Sequence, residues 1–179
     1  VWQDFMFAGT MVPGDDAFFD NVKKEVQYQV KRLRHHKSIV LWCGNNEIDE
    51  AFKSWGWQKS MKMSKQDSTR LWKDYVRLFQ DSIPKWVKEV DPKRPYLSSS
   101  PLFHWSKAKS ITEGDSHYWG TWWGLEDIEA VQNKTGRFVS EYGMQAMPNY
   151  SSIEKFTLPE DRYLYSDILQ AHQKAGKGF

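Results

Sequence analysis

One cysteine, Cys43, stands among the 179 residues. A lone thiol excludes an internal disulfide and argues against a zinc site built on thiolates, so Cys43 reads as a small buried apolar residue. Long hydrophobic runs are missing too: none approaches the roughly 20 residues that a membrane-spanning helix needs. Charge of one sign is scarce, since 25 basic residues stand against 23 acidic ones for a formal net charge of +2. Such an even balance creates no long-range field toward nucleic acid or an acidic membrane. There is no initiator methionine and no secretory leader; the chain opens on Val1 within an apolar segment, as expected of a piece cut from a longer chain.

Aromatic side chains are plentiful. Ten tryptophans, eight tyrosines and ten phenylalanines make up 16% of the chain, and many sit beside Gly, Asp or His rather than inside apolar runs. Flat aromatic surfaces of this kind stack against sugar rings. The remaining composition, 40% hydrophobic and 27% charged, is that of an ordinary globular domain with a sizeable core.

Residues 1–8, VWQDFMFA, read as a buried strand ending in a loop with Gly9 and the Pro13-Gly14 turn. Asp4 is the odd member of that strand; buried without a partner it would cost several kcal/mol, so it must be hydrogen-bonded or face a site. Phe19, Val22, Val26, Val30 and Leu33 recur at helical spacing behind a cap at Asp15 or Asp16. The basic stretch from Lys31 to Lys37, with His35 and His36, falls at the carbonyl end of that helix, where cations are favoured. Residues 39–43, IVLWC, form a continuous apolar run typical of a strand buried on both faces, broken by Gly44. A short helix is expected over 48–55, then an exposed insertion over 56–67. A long helix comes next through Trp72, Tyr75, Val76 and Phe79, kinked or restarted at Pro84 and stopped at Asp91-Pro92.

Further strands are expected at 95–99, 114–118 and 137–141, the last preceded by an amphipathic stretch over 126–132. Residues 151–179 are less patterned, with a final helix near 166–174 and a fraying end. Alternation of strand and helix predicts an α/β fold with a parallel sheet, either doubly wound or part of a (β/α)8 barrel. Five strands do not close a barrel, and a whole one takes about 250 residues, so a single-domain fragment spanning 1–179 is expected. Asn133-Lys134-Thr135 and Asn149-Tyr150-Ser151 match glycosylation acceptors, which matter only in a secretory pathway.

Two glutamates immediately succeed buried runs: Glu47 after Leu41–Cys43 and Gly44-Asn45-Asn46, and Glu141 at the end of RFVSE. In barrel enzymes such positions point into the shared mouth at the C-terminal strand ends. Hydrolysis of a glycoside with retention needs two carboxyl groups about 5–5.5 Å apart, one protonated and one ionised. Taken singly, each has a plainer reading. Glu47 would suit the first turn of a helix capped by Asn45 or Asn46, and Glu141 would suit an exposed strand end beside the Gly143 turn.

LWCGNNE at 41–47 and FVSEYG at 138–143 resemble the two catalytic motifs of glycoside hydrolase family 2, and WQDFMFA at 2–8 is similar to that family's third-strand segment. The resemblance runs from Val1 to about Pro148, and the Gly-Asn-Asn-Glu form is nearer to the β-mannosidase branch than to its β-galactosidase or β-glucuronidase relatives. It implies a partial (β/α)8 TIM barrel, about strands 3 to 7 and part of the chain beyond strand 7, flanked in the parent chain by β-sandwich domains. By the same resemblance Glu47 is the acid/base, Asn46 the contact to the sugar's 2-hydroxyl and Glu141 the nucleophile.

GDSHYWG at 114–120 resembles the sixth-strand motif, which would set Tyr118 beside the nucleophile and leave Trp119, Trp122 and Trp123 at the rim for stacking. Asp4 would meet a sugar hydroxyl or a structural partner. The implied substrate is a β-mannoside oligosaccharide cleaved at its non-reducing end, with no metal or organic cofactor. Glu141 would be kept ionised by hydrogen bonds and Glu47 protonated by a raised pKa. The alternatives are another exo-glycosidase of the family or a non-catalytic carbohydrate-binding fragment. Localisation is left open, since family members are lysosomal in animals and periplasmic, secreted or cytoplasmic in bacteria.

Overall fold

Every apolar run marked as a strand is one, but shorter than expected. In the computed structural model, which describes residues 1–144 and 146–173, β1 is Trp2–Asp4, β2 is Leu41–Cys43 and β3 is Tyr96–Leu97. They pair in parallel in the order β1-β2-β3, with Gln3 opposite Trp42 and Trp42 opposite Tyr96. A second parallel pair joins β4, Ser116–Tyr118, to β5, Val139–Tyr142. The result is a mixed α/β structure with two small parallel sheets and, among the described residues, no closed barrel.

The strands are short because the backbone leaves the regular ladder early while still bonding to its neighbours. Phe7 N–H turns back to Phe5 O, yet Phe5 N–H still reaches Cys43 O. Asn46 bridges to both Ala8 and Ser100 beyond the strand ends.

Helix α1, Asp16–Leu33, buries Phe19, Val22, Val26 and Val30 on one face. Asp15 caps it, accepting the Phe18 N–H at 2.9 Å, and Lys31 and Arg32 occupy its last turn. After β2 come α2 (Ile48–Ser54), α3 (Trp57–Ser60) and α4 (Lys65–Tyr75), so the stretch expected as an exposed insertion contains a helical turn. The chain then runs through a π-helical segment, Val76–Ser82, directly into α5, Ile83–Val90. Pro84 falls in the first turn of α5, at the change from π to α geometry, and the helix continues through it without a break.

Helices α1 and α5 pack together, and their apolar faces meet Trp42, Ile48, Leu78 and Phe79 in one core. Burial of each such side chain contributes about 1.5–3 kcal/mol. Trp42 is fully buried, and its indole N–H is satisfied by Asp91 Oδ2 at 3.0 Å. Burial works against the charge on Asp91, but Arg94 and Trp42 bond to it and hold its carboxyl below the usual range.

The amphipathic stretch before β5 becomes a 3-10 turn, Ile128–Ala130, and a short helix, Val131–Lys134. Near the C-terminus Ser166 caps the helix Asp167–His172; the continuation expected to 174 and the fraying end lie outside the described residues. No helix among the described residues is long and apolar enough to cross a membrane.

Candidate active site

The loop after β2 is held by Asn45, which is fully buried. Its Nδ2 donates to Ser98 O at 2.7 Å and to Tyr75 Oη at 3.3 Å, while its Oδ1 accepts from Ile48 N at 3.0 Å and Ser99 Oγ at 2.9 Å. Asn45 is therefore structural, tying the start of α2 to the segment after β3. Gly44 is required beside it, because a Cβ there would collide with the Tyr96 hydroxyl and the Ser98 carbonyl.

Backbone bonds from Asn46 N to Phe7 O (2.8 Å) and from Glu47 N to Ser100 O (2.7 Å) lock the next two residues. Glu47 is thereby held at φ 61°, in the left-handed region. Non-glycine residues enter that region at a cost that clusters at functional sites.

Strands β4 and β5 supply the opposite wall. His117 pairs across the ladder with Glu141, and Tyr118 with Tyr142. Since side chains alternate along a strand, His117 shares a face with Glu141. Its Nδ1 lies 2.9 Å from Glu47 Oε1 and 3.4 Å from Glu141 Oε2. Glu47 and Glu141, 94 residues apart in the chain, thus converge on one imidazole, and the three groups offer ligand atoms all within 4.8 Å of one another.

Behind the imidazole, His117 Nε2 lies 2.9 Å from Ser100 Oγ and 3.4 Å from Asp115 Oδ2. The hydroxyls of Ser100 and Ser140 both donate to that same Asp115 oxygen. Ser100 has one hydroxyl proton and gives it to Asp115, so it receives the Nε2 hydrogen. With Nδ1 directed at two carboxylates, the ring carries protons on both nitrogens. Burial opposes that charge, but the hydrogen bonds to Asp115 and Glu47 and the charges of Glu141 and Glu47 outweigh it, lifting His117 to about 9. Asp115, although buried, is held below the usual carboxylate range by His117 and the two serines.

Hydrogen bonds are expected to keep Glu141 ionised; in the structure they are one of several competing influences. Burial pushes its pKa up, the nearby Glu47 adds to this, and His117 together with a hydrogen bond from Trp119 opposes it.

Glu47 opens on a cavity of about 440 Å³ whose walls are Glu50, Trp55, His104, Trp105, Trp119 and Trp123. Glu141 lines a second cleft of about 430 Å³ with Asp4, Asn46, Ser100, His117 and Trp2. Of the residues singled out from the sequence, Glu47, Glu141, Asn46, Asp4, Trp119 and Trp123 all border these two spaces. Asp4 has the structural partner expected of it, accepting Trp2 Nε1–H at 2.8 Å, and also lines the cleft; burial raises its pKa.

Two residues fall elsewhere. Tyr118 is buried, packs edge-on against Trp105 and donates its hydroxyl to Glu126 Oε2 at 2.7 Å. It is the neighbouring His117 that reaches the nucleophile candidate, because strand alternation turns Tyr118 to the opposite face. Trp122 stands edge-to-face with Trp119, 6.2 Å between ring centroids, and lines neither space.

Sequence reasoning missed His117, Asp115, Ser100, Glu50, Trp55, His104 and Trp105. For His117 the signal was present, one residue before Tyr118 in the same motif; for Glu50 it was the three-residue helical spacing from Glu47. Among the described residues, Glu47, His117 and Glu141 are the group whose atoms lie close enough to hold a metal ion. The Nδ1 atom such an ion would need is already engaged with Glu47.

No family model matches the chain. Relatives are nonetheless clear. The chain is 38% identical to a β-mannosidase of Bos taurus over 97% of its own length, 35% identical to β-mannosidase B of Emericella nidulans over 98%, and 34% identical to a β-mannosidase of Rattus norvegicus over 97%. It spans 20 to 21% of the length of those proteins. Among solved structures it matches a β-D-mannosidase from Dictyoglomus thermophilum with a TM-score of 0.77 and 38% identity, covering 99% of this chain and 21% of that one. Sequence and fold together place the chain with the β-mannosidases, as the counterpart of about one fifth of their length.

Proposed function

We propose that this chain carries the catalytic acids of a retaining glycoside hydrolase that removes β-linked mannose from the non-reducing end of its substrates. The observation that carries the reading is the convergence of Glu47 and Glu141, which bring carboxylate oxygens within 4.8 Å of each other. Retaining glycosidases hold their two carboxyl groups about 5–5.5 Å apart, whereas inverting ones leave about 6.5–9.5 Å for a water. The relatives named β-mannosidase support mannose as the sugar.

In this reading Glu141 attacks the anomeric carbon and Glu47 gives its proton to the departing oxygen. The glycosyl ester on Glu141 is then hydrolysed by a water whose proton returns to Glu47, restoring both groups. The imidazolium of His117 stands between the two acids, and its charge favours the ionised form of Glu141. The tryptophan walls supply flat faces for a pyranose. The two parallel sheets are adjacent parts of a (β/α)8 wall, with its remaining strands and the flanking β-sandwich domains supplied by the parent protein.

The test is hydrolysis of an aryl β-mannoside by the full-length protein, monitored by proton NMR from the first turnovers. Initial release of β-mannose supports retention; initial α-mannose, or no hydrolysis of any β-mannoside, refutes the reading.

A further inference from the structure

Helix α2 presents a second acid to the aromatic cavity, one with no part in the proposed double displacement. Glu50 is three residues after Glu47 on the first turn of α2 and only 4% exposed. Its Oε1 accepts the Trp55 indole N–H at 3.1 Å and lies 3.6 Å from His104 Nε2, while its Oε2 is buried with no partner. A carboxyl group held this far from water is costly unless it is hydrogen-bonded or paired. What it touches are two walls of the cavity: Trp55, from the end of α2, and His104, from the segment after β3, far away in sequence.

We propose that Glu50 is a positioning residue for the sugar cavity, holding the Trp55 indole and the His104 ring in place beside Glu47. This rests on the glycosidase reading and deepens it, because those two rings flank the acid at which the leaving group departs. Trp55 is nearly half exposed and ends a short helix, so without its bond to Glu50 the indole is free to turn away from the cavity.

The titration of Glu50 fits this geometry. Burial raises its pKa to about 7, opposed by the Trp55 bond and aided by the charge of Glu47, with smaller opposed effects from His117 and Glu141. The group therefore takes up its proton as pH falls through about 7. His104, whose own pKa is lowered by burial and by Lys107, is its other titratable neighbour. Either protonation state of Glu50 leaves an oxygen to accept the indole N–H, so positioning persists across its titration.

The test uses the full-length protein and steady-state kinetics on a β-mannoside oligosaccharide, with thermal melting to verify the fold. Glu50→Leu removes the acceptor and is expected to raise KM about tenfold with kcat within about threefold. Glu50→Gln keeps an oxygen for Trp55 and is expected to restore KM to within about twofold. An unchanged KM in Glu50→Leu, or a Glu50→Gln variant as impaired as Glu50→Leu, overturns the proposal. Should Glu50→Leu fail to fold, Glu50→Ala removes the same acceptor with a smaller side chain and is judged by the same KM criterion. If the unaltered protein hydrolyses no β-mannoside, the glycosidase reading has failed; if it does so and these variants behave like it, only the role of Glu50 has failed.

Discussion

His117 Nδ1 sits 2.9 Å from Glu47 Oε1, joining two residues that are 70 positions apart in the chain. This contact links the loop after β2 to strand β4, and through the β4–β5 ladder it brings Glu141 to the same point. The pH behaviour and the chemistry proposed for the site both pass through it.

For the acid/base pair, Glu47→Ala in the full-length protein is expected to lower kcat by about 10² to 10⁴ on alkyl or sugar leaving groups, the range associated with loss of a general acid. The loss should be much smaller on an activated aryl mannoside, whose leaving group needs little protonation. Parallel kinetics on the two substrate types check this, and equal losses on both would remove Glu47 from the acid role.

The charge on His117 should appear in stability. Its pKa is raised to about 9 in the folded chain, against about 6.5 when unfolded. The folded form keeps a proton that the unfolded form has lost, so the stabilisation is complete below about 6.5 and disappears as pH rises through about 9. Denaturant unfolding of the full-length protein across that window should show stability falling with pH, by up to a few kcal/mol. In His117→Leu this component of the slope should vanish.

Removing the Trp119 bond to Glu141 removes a group that favours the ionised carboxylate. Trp119→Phe is therefore expected to move the acidic limb of the kcat/KM profile to higher pH, since more of Glu141 is protonated at a given pH. A limb that stays in place or moves down would show that Trp119 does not act on Glu141.

Asn45, in contrast, is expected to matter for the fold more than for chemistry. Asn45→Ala strands the Ile48 N–H and the Ser98 carbonyl in a buried loop, where each unmet group costs about 1–3 kcal/mol. Thermal unfolding should register a large drop, and kcat of the surviving folded fraction should also fall because the φ 61° geometry of Glu47 depends on the same loop.

Much of this site was legible in the chain. Glu47 and Glu141 each follow an apolar run, but taken singly each has a plainer reading; it is the resemblance of LWCGNNE and FVSEYG to known catalytic motifs that pairs them, and the run before Glu141 is half exposed in the structure. Helix α1 was legible from its apolar spacing and its Asp15 cap. What local pattern could not convey was which face of a three-residue strand turns inward: Tyr118 is singled out by the resemblance of GDSHYWG to the sixth-strand motif, while its neighbour His117 is the residue facing Glu141. Glu50 was hidden differently. A glutamate in a first helical turn looks like an ordinary dipole partner, and its burial comes from Trp55 and from His104, the latter 54 residues further on. Strand lengths were overestimated because Phe5 and Phe7 continue the apolar run while the backbone has already begun to turn.

The assignment of the nucleophile is tested most directly by inactivating the full-length protein with an activated 2-fluoro mannoside and locating the adduct by peptide mass spectrometry. One mannosyl ester is expected, on Glu141. Inactivation with the label on any other carboxylate, or with Glu141 unmodified, would contradict the assignment.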